Sequence, residues 1–436
     1  MISPIFVGIL GCALVVFLLI LGMPIAFLMM FVGFLGIWAL TSLDAALPVV
    51  AKTLYEVAAN YPYTIIPLFI LMGGFATTAG ITGELYTTFD KWFRKLPGGL
   101  GVATIAACAG FAAVSGSSVA AAAAMGNIAL PEMKKFNYNP RLATGVIAAG
   151  GTLSFLIPPS LGFVVYGMLT EQSIGKLLIS GIIPGIILSL AYIFIVIAQV
   201  KINPSLAPQT PGDVTFREKI YALKGIWETL LVFFIVMGGI YMGFINPTEA
   251  GAIGATALLI IVLIKRKLTW KGLFTALLEM TRISVMVLFL VSGATVFSYF
   301  LALSTIPTAV STWIAGLEIS RYLILAIIIA IYFLLGCFLD AVSMMVLTLP
   351  VIFPVIVALH FHPIWFGVVA VLMMEAGLIT PPVGLNVYTL AGIAKDVPMT
   401  EIFKGATPYL VSIIIVAIIL TAFPKIVLFL PNLMGR

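Results

Sequence analysis

Apolar residues follow one another in long runs along most of the chain, and this pattern predicts helices that span a membrane. A helix needs about 20 consecutive apolar residues to cross the hydrocarbon core of a bilayer. Eight runs of that order lie at 3–21, 24–41, 61–80, 177–200, 225–243, 247–264, 282–303 and 405–423. Because only short polar segments interrupt the apolar sequence, we predict an all-α polytopic membrane protein with no sizeable extramembrane domain.

Two further segments, 98–133 and 322–359, are too long for one span and rather short for two full spans with a loop. Each is interrupted near its middle, the first by AAVSGSSVA and the second by GCFLDAVS. A helix, a polar break and a second helix that returns to the same side make a re-entrant helical hairpin. We therefore predict one hairpin in each segment.

Proline pairs interrupt two other apolar segments, 142–170 and 364–394, in the sequences IPPSLGFVVY and TPPVGLNVY. Proline removes a backbone donor, and it disfavours helix at the residue before it. We therefore expect both spans to unwind inside the membrane. Unwound backbone at that depth is tolerated only where protein surrounds it or where it lines a cavity.

These elements repeat along the chain. The two proline segments match at a constant offset of 222 residues, which pairs Pro159, Gly162, Val165 and Tyr166 with Pro381, Gly384, Val387 and Tyr388. The order of spans, hairpin and broken span is also the same in both halves. We predict an N-terminal repeat at 1–200 and a C-terminal repeat at 225–436, joined by a linker at 201–224.

Loop charges predict that the two repeats have opposite orientations in the membrane. Lysines and arginines flank the first hairpin on both sides, whereas Glu318, Arg321, His360 and His362 flank the second. Because cytoplasmic loops are enriched in Lys and Arg, the first hairpin should open to the cytoplasm and the second to the opposite side. This path places the linker and 17 of the 22 Lys and Arg residues in the cytoplasm. Inverted repeats with discontinuous helices are typical of secondary transporters, whose sites lie at the repeat interface.

Composition narrows the possible functions. The chain is 62% hydrophobic and only 9% charged, whereas about a quarter of the residues in a soluble protein are charged. The net charge of +6 does not indicate a nucleic-acid partner, because the basic residues lie in short loops. The three cysteines, Cys12, Cys108 and Cys337, lie in apolar runs and suggest neither a disulfide framework nor a zinc site. No phosphate-binding loop is present, which argues against ATP hydrolysis.

Polar clusters occur where the helices are predicted to break. They comprise Ser115–Ser118, Pro158–Ser160, Asp340 with Ser343, and Thr380–Asn386. Hydroxyl and carbonyl oxygens suit a hard cation such as sodium. Close helix packing is the alternative explanation for the serines.

Acidic residues inside the apolar segments are candidates for function, because a carboxylate in a membrane normally has a partner or an ion. Asp340 is the strongest, and Glu375 could face either the cavity or a packed interface. Glu249 is explained by a helix N-terminus. His360 and His362 are expected in a surface loop. Ser292 and Gly293 could line the cavity or pack between helices.

Six motifs resemble the large membrane subunit of tripartite ATP-independent periplasmic (TRAP) transporters, and the resemblance runs nearly end to end. They are IPLFILMGGFATTAGI (66–81), GFAAVSGSSVAAAAAMGNIALPEM (110–133), GTLSFLIPPS (151–160), NPTEAGAIGA (246–255), GCFLDAVSMMVLTLPVIFPV (336–355) and GLITPPVGLNVY (377–388). The resemblance implies a sodium symporter in the bacterial inner membrane. A periplasmic binding protein would deliver an organic acid to it, and a small four-helix membrane subunit would brace it.

The resemblance also implies an elevator-type transporter, in which hairpins and broken spans slide across a scaffold of the other helices. One sodium ion would bind Ser115, Gly116, Ser117, Pro158 and Ser160. A second would bind Gly336, Asp340, Ser343, Thr380 and Gly384. The substrate carboxylate would contact Ser117, Ser118, Thr380 and Asn386.

The chain departs from the family pattern at two places. Glu84 and Leu85 follow the first motif where an arginine is common, and Ala121 follows SGSS where an acid is common. Neither change removes an oxygen of the motifs.

Other functions share some of these features. A stand-alone sodium/carboxylate symporter would have the same repeats but would need no binding protein. A channel and an intramembrane enzyme that uses Ser117 or Asp340 are further alternatives. The enzyme is disfavoured because no His or Lys base lies near Ser117 in sequence.

Overall fold

The computed structural model describes residues 3–209 and 214–434. Within these ranges the chain forms helices and no strand. In chain order they are α1 (Pro4–Ile20), α2 (Ile25–Leu40), α3 (Leu43–Ala59), α4 (Ile65–Ala79), α5 (Ile81–Phe93), α6 (Gly99–Ser115), α7 (Ser118–Lys135), α8 (Pro140–Leu156), α9 (Leu161–Thr170), α10 (Ile174–Ser180), α11 (Ile182–Ile202), α12 (Phe216–Ala222), α13 (Trp227–Met242), α14 (Pro247–Ile264), α15 (Trp270–Ser304), α16 (Ile306–Ala315), α17 (Arg321–Gly336), α18 (Ala341–Ala358), α19 (Pro363–Gly377), α20 (Leu385–Ile393), α21 (Met399–Ala422) and α22 (Pro424–Leu433).

Many of these helices are suited to a membrane. In the described ranges, six segments are long and apolar enough to cross one, or eight if each of two bent helix pairs counts as a single span. The predicted all-helical membrane fold is therefore confirmed. The run at 282–303 belongs to a longer helix, since α15 begins at Trp270 and has 35 residues.

The four segments for which the sequence predicts a break each contain two helices. Gly116 and Ser117 separate α6 from α7, and residues 157–160 separate α8 from α9. Residues 337–340 and 378–384 lie between the corresponding helices of the second half. Gly116 has a φ of +66° and Gly384 a φ of +55°. Glycine adopts this left-handed region without steric strain, which explains why a tight break can occur at these positions.

Small residues allow some of the helices to approach closely. A Cβ on Gly33 of α2 would lie 2.9 Å from the backbone nitrogen of Phe297 in α15, and one on Gly293 would lie 2.4 Å from the carbonyl oxygen of Ala26. Ser292 donates to the carbonyl of Leu288 in its own helix, at 2.9 Å. Gly293 therefore serves close packing between α2 and α15, whereas the hydroxyl of Ser292 is bound within α15.

Helices from the two halves also pack against each other. α8 lies along α21, and a Cβ on Gly145 would fall 2.2 Å from the carbonyl oxygen of Gly405. α7 contacts α20, where a Cβ on Gly126 would lie 2.9 Å from the side chain of Leu390. The hairpin and broken helix of the first half are thus joined to helices of the second half.

Several local predictions are confirmed. Glu249 forms a capping box with Asn246 at the start of α14, where each side chain accepts from the other residue's backbone N–H at 2.9 Å. His360 and His362 are exposed between α18 and α19. The opposite orientation of the repeats stays a prediction, and residues 210–213 of the predicted linker lie outside the described ranges.

Candidate functional site

The break of the first hairpin meets the break between α8 and α9. A Cβ on Gly116 would lie 2.7 Å from the carbonyl oxygen of Pro159. On the other side of the tip, a Cβ on Gly73 of α4 would lie 3.0 Å from the carbonyl oxygen of Ser115. Ser160 is fully buried, and its hydroxyl donates to the carbonyl of Phe155. The residues predicted for the first sodium ion are therefore brought to one place.

A similar contact joins the second hairpin to the break after α19. Gly336, the last residue of α17, and Gly377, the last of α19, touch through their backbones. The N–H of Val383 donates to the carbonyl of Cys337 at 3.3 Å. Thr380 is half-buried and donates to the carbonyl of Ala376 at 2.6 Å. The two breaks that carry the second predicted sodium site thus lie against each other.

Asp340 is half-buried at the start of α18 and caps that helix. One of its carboxylate oxygens, Oδ1, accepts from the backbone N–H groups of Val342 at 3.1 Å and Ser343 at 3.0 Å. Capping supplies the partner that the sequence left open, because the first N–H groups of a helix have no acceptor within the helix. The second oxygen, Oδ2, makes no hydrogen bond among the described residues, so this carboxylate can still bind a cation.

Glu375 links the two halves of the chain. It is fully buried in α19, and both of its carboxylate oxygens lie 2.9 Å from the hydroxyl of Ser118, the first residue of α7. The residues are 257 positions apart in the sequence. This contact fixes the start of the first hairpin's second arm to α19, the first helix of the second broken segment.

Asn386 lies in the same buried region. Its Nδ2 donates to the carbonyl of Ala148 in α8 at 3.1 Å, whereas its buried Oδ1 has no partner among the described residues. A Cβ on Gly151 would lie 2.9 Å from the carbonyl oxygen of Ser118 and 3.1 Å from Nδ2 of Asn386. Ser118 and Asn386, both predicted to bind substrate, therefore face the interior of the protein in this conformation.

Ser117 instead faces a cavity of about 590 Å³ between α4, α7 and the first part of α15. Its lining is mainly apolar, and the polar side chains in it include Thr77, Thr78, Ser115, Ser117, Asn127, Lys271 and Glu279. The hydroxyl of Ser117 also accepts from the N–H of Ala120 at 3.4 Å and caps α7. An anion in this cavity would meet a helix N-terminus, hydroxyl groups and the ammonium group of Lys271, which favour negative charge, and the carboxylate of Glu279, which opposes it.

The sequence did not point to Lys271 or Asn127 as cavity residues. Lys271 belongs to the basic run 265–271, which indicates only a membrane orientation. Asn127 lies in α7, ten positions after Ser117 and inside the motif at 110–133, but the resemblance gave it no role. The extension of α15 towards its N-terminus places Lys271 and Thr275 beside the cavity.

Ion pairs connect helices near the ends of the apolar segments. Lys265 lies 2.7 Å from a carboxylate oxygen of Glu84 and 2.6 Å from one of Glu228. Glu84, one of the departures from the family pattern, is thus bound to the loop between α14 and α15. Lys134 donates to Asp396 at 2.6 Å, and this bond lowers the pKa of the Asp396 carboxyl.

Comparison with known proteins adds independent information. The family model described as "Tripartite ATP-independent periplasmic transporter, DctM component" matches residues 12–426. A C4-dicarboxylate TRAP transporter large permease protein of Pseudomonas aeruginosa is 35% identical over 389 residues, which cover 88% of this chain and 90% of the relative. A sialic acid TRAP transporter large permease protein of Vibrio cholerae is 30% identical, over 95% of this chain and 96% of the relative.

A solved structure resembles this fold. The YdaH transporter of Alcanivorax borkumensis, whose crystal structure revealed an unusual topology, superposes with a TM-score of 0.67. The match covers 88% of this chain and 90% of that one, at 13% sequence identity. The similarity is one of fold alone.

Proposed function

The chain belongs to the DctM component family of tripartite ATP-independent periplasmic transporters, and from that premise we propose that it imports an organic acid coupled to sodium. As a member of this family it is a transport component, not an enzyme, and a multi-pass protein of the bacterial inner membrane.

The cavity beside the first hairpin carries the proposal. It brings Ser117, at the N-terminus of α7, into the same space as Lys271 and Asn127. A carboxylate would accept hydrogen bonds there from hydroxyl, amide and ammonium groups. The relatives named for C4-dicarboxylates and for sialic acid support an organic acid as the substrate class.

The four proposed substrate residues differ in how accessible they are. Ser117 faces the cavity, and Thr380 is half-buried at the other break. Ser118 is bonded to Glu375, and Asn386 is bonded to Ala148. A substrate carboxylate can therefore reach Ser117 directly. Ser118 and Asn386 can bind it only after their hydrogen bonds to Glu375 and Ala148 break.

Sodium is the proposed coupling ion. The groups around Gly116 and Pro159, and those around Gly336 and Thr380, are hydroxyl and carbonyl oxygens. Such oxygens coordinate hard cations. Among the described residues, no three or more His, Cys, Asp or Glu side chains lie close enough together to hold a metal ion. The proposed sodium sites would therefore consist of hydroxyl and carbonyl oxygens at the helix breaks, together with the carboxylate of Asp340.

The proposed elevator unit consists of the hairpins and broken segments. The contacts of α20 with α7 and α8, and of α9 with α18, support a unit built from both halves. The proposed partners are a periplasmic binding protein and a small four-helix membrane subunit, which the tripartite family description supports.

Substitution of Asp340 separates its two roles. Asparagine keeps a side-chain oxygen for capping, whereas alanine removes it and typically costs about 1 kcal/mol. We expect Asp340→Asn to keep the thermal midpoint but to raise the sodium concentration for half-maximal uptake about tenfold, because each 1.4 kcal/mol of lost ion binding is a factor of ten. Asp340→Ala should lose both sodium affinity and stability.

The measurement is uptake of a radiolabelled organic acid into proteoliposomes over a series of sodium concentrations. Asp44→Asn is the matched control, since Asp44 is exposed in the first turn of α3. A sodium dependence of Asp340→Asn equal to that of the unmodified protein would show that Asp340 only caps α18 and would remove it from the sodium site.

A further inference from the structure

A groove of about 420 Å³ lies between the first turns of α17 and the last turns of α21, with α19 at its base. Its lining is almost entirely apolar and includes Leu325, Ala326, Ile329, Met373 and Ile418. We propose that this groove binds one acyl chain of an anionic phospholipid and that Arg321 holds the lipid phosphate.

The length of the groove fits one leaflet of a bilayer. On α17 it extends from Tyr322 to Ile329, and on α21 from Ile414 to Ala422. At a rise of 1.5 Å per residue these stretches are about 10–12 Å long. Half of the hydrocarbon core is about 15 Å thick, so the groove follows an acyl chain through most of one leaflet.

The mouth of the groove carries positive charge. Arg321, the residue before Tyr322, is exposed and lies over two aromatic rings, 5.1 Å from the centroid of Tyr322 and 5.4 Å from that of Phe361. These rings hold the planar guanidinium in place. One of its nitrogens donates to the hydroxyl of Tyr322 at 3.4 Å, and its other donors can bind a phosphate, for which their geometry is suited. Lys425, exposed in the first turn of α22, follows the groove residue Ala422 by three positions.

Thr421 places an unused donor next to the mouth. It lines the groove, and its hydroxyl is hidden from solvent with no hydrogen-bond partner among the described residues. Thr407, in the same helix, instead donates to the carbonyl of Phe403 at 2.9 Å. A buried hydroxyl without a partner is unfavourable, and rotation of the Thr421 side chain into the groove would let it donate to an ester carbonyl of a bound lipid.

The order of these groups along the groove favours a phospholipid as the occupant. Arg321 lies at the mouth, a hydroxyl donor lies beside it, and apolar side chains fill the rest. A phospholipid presents phosphate, ester and hydrocarbon in the same order. Tyr322 is also typical of the level where membrane and water meet.

Native mass spectrometry of the purified full-length chain tests the proposal. The probes are dioleoyl phosphatidylglycerol and dioleoyl phosphatidylcholine, which share acyl chains and differ in headgroup charge. We expect retention of phosphatidylglycerol to exceed that of phosphatidylcholine and to fall about tenfold in Arg321→Gln, because a charge-assisted bond to phosphate is lost. Thr421→Val should weaken retention about threefold through loss of a neutral bond.

Two further variants locate the lipid. Ala326 is exposed on the groove wall, so Ala326→Phe fills the groove without disturbing the core and should also lower retention. Lys52→Gln removes an exposed cation from α3 and should retain phosphatidylglycerol fully. Equal retention of the two lipids, or unchanged retention in Ala326→Phe, would overturn the proposal. Displacement of the lipid by the purified small subunit would overturn it too, because the groove would then be a protein interface.

Discussion

Replacing Gly377 by alanine is expected to lower the thermal stability of the protein and to reduce sodium-driven uptake at least tenfold. A Cβ at this position would lie 2.2 Å from the carbonyl carbon of Gly336 and 2.3 Å from its oxygen. Backbone atoms cannot rotate away as a side chain can, so α17 and α19 must separate. Overpacking of this kind typically costs about 1–3 kcal/mol, which outweighs the gain of up to about 1 kcal/mol in helix propensity.

The same contact provides its own control. A Cβ on Gly336 would lie 3.4 Å from the nearest atom, the Cα of Gly377, which is an ordinary contact distance. Gly336→Ala should therefore be tolerated, because the methyl group fits at the helix crossing and the backbone oxygen by which Gly336 would bind sodium is kept. Gly392→Ala on α20 meets no atom within 4 Å and should be neutral or slightly stabilising.

Thermal unfolding midpoints in lipid nanodiscs and initial uptake rates in proteoliposomes measure these effects. The uptake loss rests on the proposal that the second sodium site lies where α17 and α19 meet. Equal behaviour of Gly377→Ala and Gly336→Ala would contradict the close backbone contact. If Gly377→Ala lowers the thermal midpoint but leaves the sodium dependence of uptake normal, the second sodium site does not lie where α17 and α19 meet.

The contact between Ser118 and Glu375 should show strong energetic coupling. Ser118→Ala removes the hydroxyl that donates to the fully buried carboxylate of Glu375. An unsatisfied buried group of this kind costs about 1–3 kcal/mol, or more when it is charged. Glu375→Ala leaves the serine hydroxyl without its acceptor. In the double variant neither group is left unpaired, so we expect its loss of stability to be smaller than the sum of the single losses.

Glu375→Gln refines this prediction, because glutamine keeps one oxygen that can accept from Ser118. It should retain more stability than Glu375→Ala. Ser292→Ala is the matched control, since Ser292 is also buried but its hydroxyl bonds only to its own helix. The measurement is again the thermal midpoint of each variant in nanodiscs. Additive losses in the double variant would show that the two side chains do not interact.

Local sequence signals predicted the helix breaks well. Glycine and serine at Gly116 and Ser117, and the prolines at Pro158 and Pro159, interrupt helices through effects within a few residues. The capping role of Glu249 follows from the spacing of Asn246 and Glu249 for the same reason. Asp340 could have been recognised as a cap too, because it stands directly before an apolar helical run.

Contacts between distant residues could not be predicted in this way. The bond between Ser118 and Glu375 depends on how α7 and α19 pack, and no local pattern encodes that packing. The early start of α15 was also missed, because Lys271, Glu279 and Arg282 make its first turns look polar. Those turns line the cavity beside Ser117, so the residues that sequence analysis overlooked lie at the candidate site itself.

The central claim is that this chain, with its partners, couples an organic acid to sodium. Uptake of radiolabelled C4-dicarboxylates and sialic acid is measured in proteoliposomes that contain the chain and its small subunit, with and without an inward sodium gradient and the periplasmic binding protein. We predict that uptake of one acid requires the gradient, the small subunit and the binding protein together. Uptake that is indifferent to sodium would contradict the assigned ion sites, and uptake without the binding protein would identify a stand-alone carrier.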